Sequence, residues 1–169
     1  MKLIGIDPGR TGAIAEIDLE FKLVRWMTIP FKENGIINQD IIKSCFRFSE
    51  AYYTYLEKVH GMAVWGVKNN FSFGGYYDQW RIFLDKYPYE IVPPQTWQRK
   101  VNGNSKGIKG KEHSKASFIR MNPSFGPIKK KHEGLIDAFF IAYYGGISNN
   151  IVMPKDFIFL NVDYDSCCP

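Results

Sequence analysis

The first eighteen residues, MKLIGIDPGRTGAIAEID, constrain this chain more than any other stretch. Lys2 to Ile6 is an apolar run long enough for a buried strand and too short for a typical helix. Asp7 ends the run and Pro8-Gly9 turns the chain at once. Thr11 to Asp18 then alternates loosely, as the second strand of a hairpin does. A carboxylate at the end of a buried strand is costly unless something compensates it, and a divalent cation is the usual compensation. Asp7 therefore predicts that the fold brings further carboxylates to it.

The remaining chain reads as one α/β domain. Strands are expected at 2–7, 12–18 and 21–29 as an antiparallel meander. A helix follows over Gln39–Glu50, capped by Asn38, then a fourth strand at Ala51–Lys58. Val59–Asn70 reads as a loop and Ser72–Tyr87 as a helix with Phe73, Tyr76, Tyr77, Trp80, Phe83 and Leu84 on one side. Tyr89–Val92 is a fifth strand, parallel to the fourth by right-handed crossover. Short helical segments follow Pro93-Pro94 and cover Lys111–Met121, and Lys130–Tyr144 is the last strong helix. Residues 1–148 form the expected domain, with 149–169 a C-terminal extension holding one further candidate strand. The expected sheet is mixed and five-stranded, flanked by helices.

Three places offer acids at one end of such a sheet: Asp7 after the first strand, Glu57 after the fourth, and Glu133 with Asp137 on the last helix. Four residues apart, Glu133 and Asp137 face the same way. Leu135, Ile136, Ala138, Phe139 and Phe140 surround Asp137 with apolar side chains. Four converging carboxylates would repel strongly without cations. With two Mg²⁺ or Mn²⁺ ions they form a site for phosphodiester hydrolysis, and oxygen-only ligation fits hard cations better than zinc. Taken singly, three have simpler readings, Asp7 as a turn residue, Glu57 as a surface strand end and Glu133 as a partner of the helix dipole, whereas Asp137 among apolar residues is harder to explain away.

Charge is uneven. Between Arg99 and Lys131 ten basic residues face a single acid, Glu112, in a chain whose net charge is only +5. That excess reads as an anion-binding face, either a solvated basic surface or a nucleic-acid contact. Arg99, Lys106, Lys109, Lys111, Lys115, Lys129, Lys130 and Lys131 are the candidate phosphate contacts. Lys111 or Lys115 is also placed to neutralise charge in a pentavalent transition state. The three cysteines, Cys45, Cys167 and Cys168, lack metal-ligand spacing and read as free thiols. No membrane span, signal peptide or small-molecule cofactor motif is visible, which predicts a cytoplasmic protein.

The segments IGIDPGRTGAIA, LEKVHGM, FSFGGYY, YEIVPPQTW and HEGLIDAFFIAYYG, in this order, resemble the RuvC-like Holliday junction resolvases, and their phage and viral branch in particular. The resemblance runs from Met1 to about Gly146. It implies an RNase H-like fold, a homodimer, and Mg²⁺- or Mn²⁺-dependent paired nicking of branched DNA in the cytoplasm of an infected host. Carried over by position, it makes Asp7, Glu57, Glu133 and Asp137 the catalytic and metal-binding acids. Two departures stand out: Glu133 replaces the more usual Asp, and the spacing is four where bacterial RuvC has three. His132, beside Glu133, is the alternative ligand or assisting group. His60, Met62 and Trp65, directly after Glu57, form a candidate junction-contacting loop, since such side chains stack on unpaired bases. The aromatic Ser72–Tyr87 helix is the candidate dimer element. Competing readings are a nuclease of the same fold acting on flaps or RNA–DNA hybrids, and a non-catalytic branched-DNA-binding protein. An actin-like phosphotransferase would need two such lobes, and the chain holds one.

Overall fold

A computed structural model describes residues 1–48, 52–59, 66–102 and 107–162. The elements run β1 (Lys2–Ile6), β2 (Ala13–Asp18), β3 (Leu23–Thr28), α1 (Gln39–Cys45), β4 (Tyr52–Glu57), α2 (Val67–Leu84), β5 (Tyr89–Val92), α3 (Pro94–Asn102), α4 (Gly107–Met121), α5 (Glu133–Ser148) and β6 (Ile158–Asn161). Short 3-10 turns at Pro123–Phe125 and Lys130–His132 precede α5. The sheet order is β5-β4-β1-β2-β3-β6. β1, β2 and β3 pair antiparallel, whereas β4 joins β1, β5 joins β4 and β6 joins β3 in parallel.

The sheet thus has six strands, one more than the five expected. The sixth is β6, from the stretch expected to be an extension, beside which Phe157 and Val162 are buried on opposite faces. Other boundaries also shift. α1 ends at Cys45, with Asn38 capping as expected. α2 begins at Val67, inside the stretch read as loop. α4 begins at Gly107, ahead of the expected start at Lys111. Cys45 is disulfide-bonded, which corrects the expectation of a free thiol there; Cys167 and Cys168 lie outside the described residues.

Strand alternation divides the core in two. Leu3, Ala15, Ile17, Val24, Trp26 and Tyr55 face α5 and its Phe139 and Phe140. Ile4, Ile6, Ile14, Met27 and Leu56 face α1 and α2, where Ile42, Trp80, Phe83 and Leu84 close the other layer. α5 lies almost on the backbone of β1: a Cβ on Gly5 would collide with the Ala138 carbonyl and the Ala142 amide. Such overpacking costs on the order of 1–3 kcal/mol, so Gly5→Ala lowers the denaturation midpoint clearly, as thermal melts would show. An unchanged midpoint would mean that α5 rides higher over the strand.

One buried acid on this sheet is fully compensated. Glu16, 1% exposed, accepts from Lys2 Nζ at 3.0 Å and lies 3.6 Å from the Arg25 guanidinium. The sheet therefore contains a cation-paired carboxylate against which the other buried acids can be compared.

Candidate active site

β1 and β4 are adjacent and parallel, so Asp7 and Glu57 leave the sheet at the same end. The turn after Asp7 is tight: Gly9 N–H donates to Asp7 Oδ1 at 3.1 Å, and Gly12 N–H donates to the Gly9 carbonyl at 2.9 Å. Gly12 forms a parallel bridge with Gly134, so the first turn of α5 rests on this loop. A Cβ on either glycine would strike backbone, Asp7 and Gly9 in one case and Thr11 and Gly12 in the other. This glycine-to-glycine contact sets the start of α5 against the Asp7 turn, and Asp137 on that helix feels the Asp7 charge. Glu57 is held from the far side, where the Trp97 indole N–H donates to its Oε1 at 2.8 Å. Trp97 is itself fixed by stacking on Phe140.

Asp7, Glu57 and Asp137 are each partly buried. Unlike Glu16, none forms an ion pair among the described residues. Burial pushes the Asp7 carboxyl up to about 6, against the Gly9 N–H and the Lys111 charge, which favour ionisation. Glu57 rises to about 8, first through burial and then through the charges of Asp7 and Asp137, against the Trp97 hydrogen bond. Asp137 also rises to about 8, through burial and then Asp7, with Lys111 opposing. The three acids therefore share one electrostatic centre that no ion pair among the described residues neutralises, although the Lys111 charge acts on two of them. Three oxygen-donor carboxylates with uncompensated charge suit a hard divalent cation. Among the described residues no three Asp, Glu, His or Cys side chains converge closely enough to form a ready-made metal cage. The fit thus lies in donor chemistry and charge.

Glu133 behaves differently. Lys115 Nζ donates to its Oε1 at 2.9 Å, and Lys111 Nζ lies 3.6 Å from its Oε2. The Lys115 hydrogen bond, helped by Lys111, holds the Glu133 carboxyl below the usual range. Lys111, Ser114 and Lys115 of α4 and Glu133, Ile136 and Asp137 of α5 line a small cleft at the site.

His132 sits to one side of the acids. Its Nδ1 accepts from the Lys129 N–H at 3.1 Å, and its ring packs edge-on against Trp26 and Phe125. Burial and the neighbouring lysines lower its pKa. These contacts make it a cap for the turn that leads into α5. Lys129, Lys130 and Lys131 are exposed on that same turn. Arg99 is exposed on α3 and lines a shallow groove with Lys100, Tyr144 and Ser148. Lys109 lies on α4. Lys106 and the candidate loop residues His60, Met62 and Trp65 lie outside the described residues. Sequence pattern alone packs Trp97 inward but does not reveal its bond to Glu57. Nothing in the local pattern marks which buried indole faces an acid.

The architecture is an RNase H-like α/β fold. Among solved structures, RuvC of T. thermophilus in complex with a Holliday junction substrate superposes with a TM-score of 0.55 at 11% identity, covering 91% of this chain and 99% of that one. Another Thermus thermophilus RuvC structure aligns over the same shares at 13% identity and a TM-score of 0.49. No family model and no curated protein matches the sequence. Among the described residues no helix is long and apolar enough to cross a membrane.

Proposed function

We propose that this protein is a metal-dependent endodeoxyribonuclease that resolves four-way DNA junctions by paired nicks. The observation that carries the reading is the uncompensated trio Asp7, Glu57 and Asp137 at one end of an RNase H-like sheet. The likeness of the fold to a RuvC bound to a junction supports the substrate class. Asp7, Glu57 and Asp137 would hold Mg²⁺ or Mn²⁺, two ions per site, which supply an activated water and stabilise the leaving 3′ oxygen. Around them the chain does the positioning. Gly9 N–H orients Asp7, Trp97 orients Glu57, and the exposed Lys111 meets the backbone phosphates at the mouth. Arg99 and Lys129–131 extend a basic surface along which DNA arms can lie without sequence readout.

The protein acts as a homodimer in this reading. One stripe of α2 carries Phe71, 83% exposed, and Ile82, 71% exposed. Gly74 and Gly75 lie on the same stripe, where an added Cβ would meet nothing within 4 Å. Their small size is thus unused by the fold and leaves room for a second helix to approach closely. A two-fold pair would set two sites against the two symmetric strands of a junction.

The deciding experiment is a nicking panel of four-way junction, duplex, flap and RNA–DNA hybrid, each with Mg²⁺, Mn²⁺ or chelator. Symmetric paired nicks in the junction, lost in chelator, support the reading. Preferential cleavage of flap or hybrid replaces the substrate, and tight junction binding without cleavage replaces the enzyme with a binding module. Trp97→Phe keeps a ring against Phe140 and deletes the donor to Glu57. Loss of such an outer partner costs roughly 10–100-fold in metal affinity or activity. A Mn²⁺ titration of the variant should therefore shift to higher concentration. An unshifted curve would reduce Trp97 to packing.

A further inference from the structure

Glu133 lies on the first turn of α5, one turn before Asp137, yet its surroundings are unlike those of the other acids. It is 36% exposed, and each of its oxygens faces an ammonium group, Lys115 at 2.9 Å and Lys111 at 3.6 Å. Asp7, Glu57 and Asp137 have no such partner among the described residues, as their raised pKa values reflect. A carboxylate already engaged by two ammonium groups must give them up before it can bind a cation. The three unpaired acids need give up nothing comparable.

The lysines gain from the contact. They are four residues apart on α4 and so project from one face. The C-terminal half of α4 is anchored by Phe118, fully buried and packed edge-on against Phe139 and Phe140. The half that carries Lys111 and Lys115 meets α5 through Glu133. Lys111 also acts electrostatically on both Asp7 and Asp137, which places its charge at the carboxylate centre.

We propose that Glu133 is a positioning residue and not a fourth metal ligand: it draws Lys115 and Lys111 of α4 to the mouth of the carboxylate site, where their charge meets the phosphate being cut. This rests on the reading of Asp7, Glu57 and Asp137 as a metal-dependent nuclease centre. It assigns ligation to three acids and gives the helix-start acid to the lysines. The substitution of Glu for Asp and the four-residue spacing then have a physical sense, since a longer side chain on the outer turn reaches α4.

The test compares the full-length wild type with Glu133→Gln, Lys115→Gln, their double variant and Asp137→Asn. Mn²⁺ binding is measured by calorimetry without DNA, and single-turnover nicking of a four-way junction at saturating Mn²⁺. Glu133→Gln should keep Mn²⁺ affinity within about threefold, whereas Asp137→Asn should lose on the order of 10–100-fold or more. Glu133→Gln and Lys115→Gln should each slow nicking by about 10–100-fold, as expected on removing charge stabilisation of a transition state. The double variant should be no slower than the slower single variant, because the two residues act as one unit. If Glu133→Gln weakens Mn²⁺ as much as Asp137→Asn does, Glu133 is a ligand; the proposal falls and the nuclease reading stands. Effects that multiply in the double variant overturn the proposal equally. A wild type that binds no Mn²⁺, together with an Asp137→Asn variant that nicks normally, removes the reading of the three acids as a metal-dependent centre and the proposal with it.

Discussion

Asp7→Asn and Asp137→Asn should each slow junction nicking by on the order of 10³-fold or more, equivalent to ~4 kcal/mol in the barrier. Each substitution keeps the side-chain volume and removes one anionic oxygen donor from the centre. Asp7 sits where the β1 turn, the Gly12–Gly134 contact and the α5 helix meet, and its charge acts on both Glu57 and Asp137. No neighbour among the described acids can take its place, because Glu133 is engaged by lysines. Junction binding should survive, since the basic surface is untouched and the mutual repulsion of the acids is reduced. Single-turnover cleavage of a labelled junction, with a gel-shift control, measures both. Rates within tenfold of wild type would remove these residues from the chemistry.

The second large effect is on stability. Asp7, Glu57 and Asp137 have higher pKa values in the folded chain than the usual carboxylate range. From about pH 4, where carboxyls of an unfolded chain ionise, the folded chain keeps protons that the unfolded chain has shed. Folding stability therefore falls as pH rises, until Glu57 and Asp137 ionise near 8. Each tenfold gain in proton affinity on folding corresponds to ~1.4 kcal/mol, so the accumulated loss is on the order of several kcal/mol. Glu133 and His132 have lowered values and act the other way, Glu133 in the acid range and His132 below its ordinary value near 6.5. Above pH 6.5 the opposing contribution of His132 fades, and the buried acids dominate up to pH 8. In chelator the melting temperature should drop across this window, and Mn²⁺ at pH 8 should restore it. Asp137→Asn should flatten the slope. A profile in chelator that is level or rises across this window would show that the acids are not buried at the cost inferred.

Much of this arrangement was legible in the residues. The run ending in Asp7, the β-branched and aromatic strand ending in Glu57, and the apolar helix carrying Asp137 each fix an element and its terminal acid. Right-handed crossover then puts β4 beside β1, as found. Three things could not be read. The pairing of β6 with β3 depends on a partner more than a hundred residues away, and the short pattern of Ile158, Phe159 and Leu160 marks a candidate strand without naming its neighbour. The start of α2 was hidden because Val67 to Asn70 has little apolar periodicity, and tertiary context overrides weak propensity. The division of four acids into three unpaired ones and one held by lysines is a matter of angstroms between α4 and α5. Spacing along one helix shows that Glu133 and Asp137 share a face, and it does not show what waits opposite each.

The docking of β6 beside β3 also bears on how the chain is made. The strand that covers this edge, Ile158–Asn161, leaves the ribosome long after its partner, Leu23–Thr28. Until Asn161 has emerged, β3 presents an open edge, and Phe118, Phe125 and Phe139 lack the Phe159 ring that packs among them. Pairings so distant in sequence form slowly and leave partly built sheets prone to aggregate. The sheet is therefore completed late, and a nascent chain halted shortly after α5 would be a client for chaperones, even though it already contains every acid of the site.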